Sequence, residues 1–157
     1  MGASSGAVAR SLARRIAWGL LVLPTFALGL PPARGAEQTA VTIRLTADQA
    51  TYGPGDVMTL TLRAVNETNH PVTLTFRTAQ RFDFVVRDPA GQELWRWATG
   101  RMFAQVAGSE TIPPSGTLLY TAQVDKKLVP GIYTAAGLVT AQEGNLGASL
   151  ALRVEPR

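Results

Sequence analysis

Alternation of apolar and polar side chains with a period of two runs through most segments after residue 40, and it limits what this chain can fold into. Val41, Ile43 and Leu45 interleave with Thr42, Arg44 and Thr46, and Met58, Leu60, Leu62 and Ala64 with Thr59, Thr61 and Arg63. Val72, Leu74 and Phe76 repeat the pattern, as do Leu118, Tyr120, Ala122 and Val124, and then Ala148, Leu150, Leu152 and Val154. Ile132, Thr134, Ala136 and Leu138 likewise share one face. Side chains of an extended strand point to opposite faces in turn, so each run suits a half-buried strand and cannot keep one face of a helix buried. No 3.6-residue period persists after residue 36. Turn chemistry separates the runs at Gly53-Pro54-Gly55-Asp56, at the polar connection 66–71, at Pro113-Pro114-Ser115-Gly116, at Pro130-Gly131 and at Gly144-Asn145. Seven to nine short strands spaced this way predict an all-β antiparallel sandwich.

The richest stretch spans residues 76–103. Phe82, Phe84 and Val86 fall on one face of a strand, with Asp83, Val85 and Arg87 on the other. Asp88-Pro89-Ala90-Gly91 then supplies a turn, with Asp first, Pro at the position where φ is already set, and Gly last. The returning strand puts Glu93, Trp95 and Trp97 on one side and Leu94 and Arg96 on the other. The result is a hairpin with a large aromatic area.

The order Gln80-Arg81-Phe82-Asp83-Phe84, Asp88-x-x-Gly91, Trp95-Arg96-Trp97 and Met102-Phe103-x-Gln105 resembles the core of the BsuPI-type intracellular proteinase inhibitor domain. The likeness takes in Val65-Asn66-Glu67-Thr68 and Leu74-x-Phe76 upstream, and Pro114-x-Gly116 and Pro130-Gly131-x-Tyr133 downstream, so it covers roughly residues 41–154. It implies an immunoglobulin-like sandwich, with Gln80, Phe82, Asp83, Phe84, Trp95 and Trp97 as its motif core. It also implies inhibition of a subtilisin-type serine proteinase. In such a fold Tyr133 either sets its hydroxyl on nearby backbone or is an ordinary half-buried strand tyrosine.

Residues 1–36 read as a secretory signal peptide. Arg10, Arg14 and Arg15 make a basic start, residues 16–30 are apolar except for Thr25, and small residues allow cleavage after Gly35 or Ala36. The run is shorter than the about 20 residues a membrane span needs. Membrane contact is therefore expected only transiently, through this segment, and the domain at 37–157 is expected in the periplasm or outside the cell. Four of the fifteen basic residues, and no acidic ones, lie in the segment, leaving eleven of each sign. The net charge of +4 is then no argument for nucleic acid as a partner. The chain has no cysteine, which excludes thiol catalysis, cysteine metal sites and disulfide support.

Catalytic chemistry finds little to work with. His70, the single histidine, precedes a proline in a connection, and no Gly-x-Ser-x-Gly elbow accompanies it. No metal-ligand spacing or phosphate-binding glycine loop emerges, so the chain reads as a non-enzyme without a cofactor. Asn66-Glu67-Thr68 matches a glycosylation acceptor, but its turn role explains it. Asp83 is expected to pair with one of the arginines at 81, 87, 96 and 101. Trp95 and Trp97 suit either a sugar-stacking platform or core packing beside Phe82, Phe84 and Phe103.

The candidate inhibitory loop holds Arg101, Met102, Phe103, Ala104 and Gln105, just after Gly100, where alternation weakens. Met102 and Phe103 are either exposed anchors for a proteinase pocket or plugs for the end of the sandwich. Residues 125–129 form a second exposed candidate without an aromatic anchor. The competing functional class is a non-inhibitory envelope module that binds protein or glycan.

Overall fold

Among the described residues nine strands form, eight of them in the alternating segments and one outside them. The structure is a computed structural model describing residues 40–156. Residues 1–36, and with them the expected signal peptide, lie outside the described residues. The strands are β1 (Val41–Ala47), β2 (Met58–Asn66), β3 (Val72–Phe76), β4 (Phe82–Arg87), β5 (Glu93–Arg96), β6 (Gly108–Ile112), β7 (Thr117–Val124), β8 (Gly131–Val139) and β9 (Leu146–Val154). Among the described residues there is no helix.

Antiparallel pairing builds one sheet in the order β1-β2-β7, a second in the order β5-β4-β8-β9, and a two-stranded β3-β6 ribbon. This is the strand arrangement of an immunoglobulin-type sandwich, as expected. Leu60, Leu62 and Ala64 of β2 and Phe84, Val86 and Ala135 of the other sheet are all fully buried. Gly137 lets the two layers approach, since a Cβ there would meet Leu62 at 2.8 Å and Phe84 at 3.2 Å. Tyr52 ties the sheets at one edge through a parallel bridge to Val154. The Tyr133 hydroxyl donates to the Val129 carbonyl at 2.8 Å, which settles its two readings in favour of a bond to upstream backbone.

The structure assigns one face that the sequence left open and differs from the sequence reading at two places. The shared face of Ile132, Thr134, Ala136 and Leu138 is the outer one, with Ile132 and Leu138 exposed, while Tyr133, Ala135, Gly137 and Val139 are buried. Strand β6 was not expected, because only Ile112 of its five residues is a buried apolar side chain. Glu93 does not share a face with Trp95 and Trp97. The register slips between Val86 and Arg87, with Val86 opposite Trp95 but Arg87 opposite Glu93. The extra residue, Leu94, is a bulge that turns Glu93 to the face of Arg96.

Candidate functional site

The segment between β5 and β6 is the longest of those framed by the aromatic hairpin, and its ends are fixed by the strands that flank it. In the hairpin turn the Gly91 amide donates to the Asp88 carbonyl at 2.9 Å and the Gln92 amide to Asp88 Oδ1 at 2.8 Å. Gly91 takes φ +82°, a value that favours glycine. Asp83, buried on the outer face of β4, is the N-terminal footing of the loop. Its Oδ1 accepts from the amides of Phe84 at 2.9 Å and Ala98 at 3.1 Å, and its Oδ2 from Arg96 at 2.5 Å. The expected pairing of Asp83 is therefore with Arg96, which also reaches both carboxylate oxygens of Glu93. Hydrogen bonding to Glu93, then to Asp83, raises the Arg96 pKa, and the Arg96 hydrogen bond holds Glu93 below the usual carboxylate range.

A column of rings runs from the core to the loop. Phe82 stacks on Tyr120 of β7 at 4.8 Å and on Trp97 at 4.2 Å, and Trp97 meets Phe103 at 5.8 Å. Arg101 lies 4.4 Å over the Trp97 ring, and its Nε donates to the Trp97 carbonyl at 2.8 Å. A turn at 96–101, with Gly100 at φ +74°, brings Arg101 into this position. Met102 sits between two residues seated on Trp97 and is itself 97% exposed.

The C-terminal side has its own supports. The Ala79 amide donates to the Ala104 carbonyl at 2.9 Å, and Gln105 Nε2 to the Phe103 carbonyl at 3.2 Å. Arg81 stacks over Phe76 at 4.5 Å, pairs with Glu110 at 2.9 Å and reaches the Thr78 carbonyl at 2.7 Å. Tyr120 donates to the other Glu110 oxygen at 2.8 Å. Burial, and then that bond, push the Tyr120 hydroxyl pKa up. At Gly108, where the loop rejoins the fold, a Cβ would lie 2.7 Å from the Arg81 guanidinium, which would have to shift to admit a side chain.

The structure thus links Phe84, Phe82, Trp97, Phe103 and Arg101 through successive ring contacts, while Asp83, on the other face of β4, holds the start of the loop through Arg96 and Ala98. Gln80 braces the neighbouring connection, with its side-chain amide on the Phe82 carbonyl and its own carbonyl accepting from Thr140. Ala104 and Gln105 are exposed. Trp95 packs against the core and donates its indole N–H to Asp125. Two groups about 4 Å from the Trp97 centroid cannot share one face, so Phe82 and Arg101 cover both sides of that ring and no two-indole platform is presented. An open cleft of about 500 Å³ beside the loop is lined by Trp95, Trp97, Arg101 and Asp125, among others.

In the second candidate segment Leu128 is buried and Val129 exposed. His70 is exposed, and its ring Nδ1 lies 3.4 Å from the Thr68 hydroxyl and 3.5 Å from the Pro71 carbonyl of its own connection. Asn66, fully buried, places its amide nitrogen 2.8–3.1 Å from the carbonyls of His70, Ile112 and Pro113. The described residues include no cluster of three or more metal-ligating side chains. Sequence reasoning did not find the Arg81–Glu110–Tyr120 network or the Ala79–Ala104 splint. The first joins side chains 29 and 10 residues apart, and the second is made by backbone alone.

Together these features define a sandwich with a braced loop on which Met102 is the most exposed large apolar side chain and Val106 is exposed as well. The model of the BsuPI family, intracellular proteinase inhibitor, matches residues 45–144. The chain belongs to that family, and a proteinase is the partner the family implies. No curated protein sequence matches the chain. Among solved structures, the sporulation control protein Spo0M of Bacillus subtilis is similar over 75% of this chain and 50% of its own, at 16% identity and a TM-score of 0.48. This chain thus spans half of that protein's length. The CARDB domain of PF1109 from Pyrococcus furiosus is similar over 74% of this chain and 94% of its own, at 13% identity and a TM-score of 0.47.

The family match corrects one expectation. Export to the periplasm or the outside was read from the basic and apolar pattern of residues 1–36. The matching family is described as intracellular, which points to the cytoplasm rather than to export.

Proposed function

We propose that this protein inhibits a subtilisin-type serine proteinase, with residues 98–107 as the contact loop and Met102 as the side chain that enters the primary pocket. The observation that carries the reading is the exposure of Met102, 97%, between neighbours that are held down. A flexible apolar side chain fully in water gains about 1.5–3 kcal/mol on burial in an apolar pocket. The braces at Asp83, Trp97 and Ala79 lower the ordering cost that a free loop would meet on binding. Val106 in the same loop, Leu119 of β7 and Ile132 and Leu138 of β8 are exposed as well, but each less so than Met102.

Titration of a purified subtilisin-type proteinase tests the reading when inhibition and melting temperature are measured on the same variant. Met102→Asp places an unpaired carboxylate in an apolar pocket, which costs several kcal/mol. The expected result is an inhibition constant raised by about a hundredfold or more, with the melting temperature nearly unchanged. A variant that stays folded and equally potent with Asp at 102 sinks the loop contact.

A further inference from the structure

Resting on that inhibitory reading, we infer that the Met102–Phe103 peptide bond is a reactive bond that a serine proteinase opens and recloses, and that Trp97 is the post that keeps its two ends together. The residues on either side of Met102 are seated on the same indole. Arg101 lies over the ring at 4.4 Å and donates to the Trp97 carbonyl at 2.8 Å, and the Phe103 ring is 5.8 Å away. The post itself is held, because Trp97 stacks on Phe82 and Phe82 on Tyr120 of the opposite sheet. Beyond the bond, Ala104 hangs from the Ala79 amide. None of these contacts depends on an intact bond between 102 and 103.

The chemistry follows from that geometry. The proteinase serine oxygen adds to the Met102 carbonyl carbon, the C–N bond breaks, and Phe103 takes a proton and leaves as a free amine. In an ordinary substrate the amine departs and water takes the ester, giving a Met102 carboxylate. Here Phe103 remains on Trp97, so its nitrogen attacks the ester again, the C–N bond reforms and the proton returns to the serine. A nucleophile held in place acts at an effective concentration of about 10⁵ M or more, far above that of water. Religation then outruns hydrolysis, and the enzyme stays occupied. Arg101 and Phe103 are positioning residues in this scheme, while Met102 supplies the affinity.

The test follows wild-type protein with a subtilisin-type proteinase over long incubation, by intact mass and N-terminal sequencing. The expected product is one water heavier, begins a new N-terminus at Phe103, keeps both fragments associated, and still inhibits when purified. Fresh enzyme should return part of it to the uncut chain. Arg101→Ala and Phe103→Ala lie in the contact loop and should weaken initial binding, so the readout is the rate at which the enzyme-bound protein is cut. They should then be cut at 102–103 about tenfold faster or more, so that inhibition fades with time, and Arg101→Lys should restore part of the lifetime. Lasting inhibition with the bond never cut overturns the inference and leaves the inhibitory reading intact. So does cutting of both variants no faster than wild type. Absence of inhibition by wild type overturns the inhibitory reading itself.

Discussion

At the scale of single residues, two methionines show what exposure does to identical chemistry. Met58 is 1% exposed in the core, whereas Met102 is 97% exposed on the loop. Oxidation to the sulfoxide follows access and turns a flexible apolar side chain into a polar one. Dilute peroxide should therefore modify Met102 well before Met58, as read by peptide mass spectrometry, and inhibition should decline in step with modification at 102. Met102→Leu should inhibit comparably and resist the peroxide. Equal modification of both methionines in folded protein would show that Met102 is not presented as the structure has it. The exposure itself was not legible in the sequence. Met102 and Phe103 are adjacent apolar residues in a segment of weak alternation, and only the ring contact with Trp97 separates the half-buried one from the exposed one.

At the scale of elements, the hairpin and its turn were plain in the sequence because their signals are local: alternation in β4, and Asp-Pro-x-Gly in the turn. What could not be read was set by partners distant in sequence or by one slipped residue. The bulge at Leu94 moved Glu93 to the other face, and β6 is held by pairing with β3 and by bonds from Asn66 and Arg81 rather than by an apolar pattern. Asp83 shows how an element and the loop are joined. Removing its side chain leaves the Ala98 amide and the Arg96 guanidinium short of an acceptor, and a buried donor left unmatched costs about 1–3 kcal/mol. Asp83→Ala should lower the melting temperature by several degrees and speed hydrogen exchange at the amides of residues 97–101. Asp83→Asn keeps an oxygen for the amides and should fall between the two. If Asp83→Ala leaves exchange in the loop unchanged, the carboxylate is not its footing.

At the scale of the whole molecule, the two ends of the sandwich are tied by ionisable groups whose shifts set a pH window for stability. At one end, burial tends to raise the Asp48 pKa, but its bonds from the Tyr52 hydroxyl at 2.7 Å and the Thr59 amide at 2.8 Å win and lower it from 3.8. At the other end Glu143 is lowered from 4.5 in the same balance, by the Thr75 hydroxyl and the Thr75 amide. A carboxylate whose folded-state pKa is depressed adds stability above its ordinary value and loses it as pH falls through the depressed one. Tyr52 shifts the other way: burial, then the bond to Asp48, push its pKa from 10.0 to about 12. Its contribution is complete below pH 10.0 and is lost as pH rises through about 12. The melting temperature should therefore be flat near neutrality, fall on the acid side below 4.5 and fall on the alkaline side above 10.0. Because Asp48 and Glu143 act at opposite ends, Glu143→Gln should remove only part of the acid limb, and the double variant with Asp48→Asn should remove more. Tyr52→Phe keeps the ring in the core and should lower the plateau while removing part of the alkaline limb, the raised Tyr120 hydroxyl keeping the rest. Thermal melts across the pH range decide the matter: an acid limb as steep in the double variant as in wild type would mean that other carboxylates govern acid unfolding.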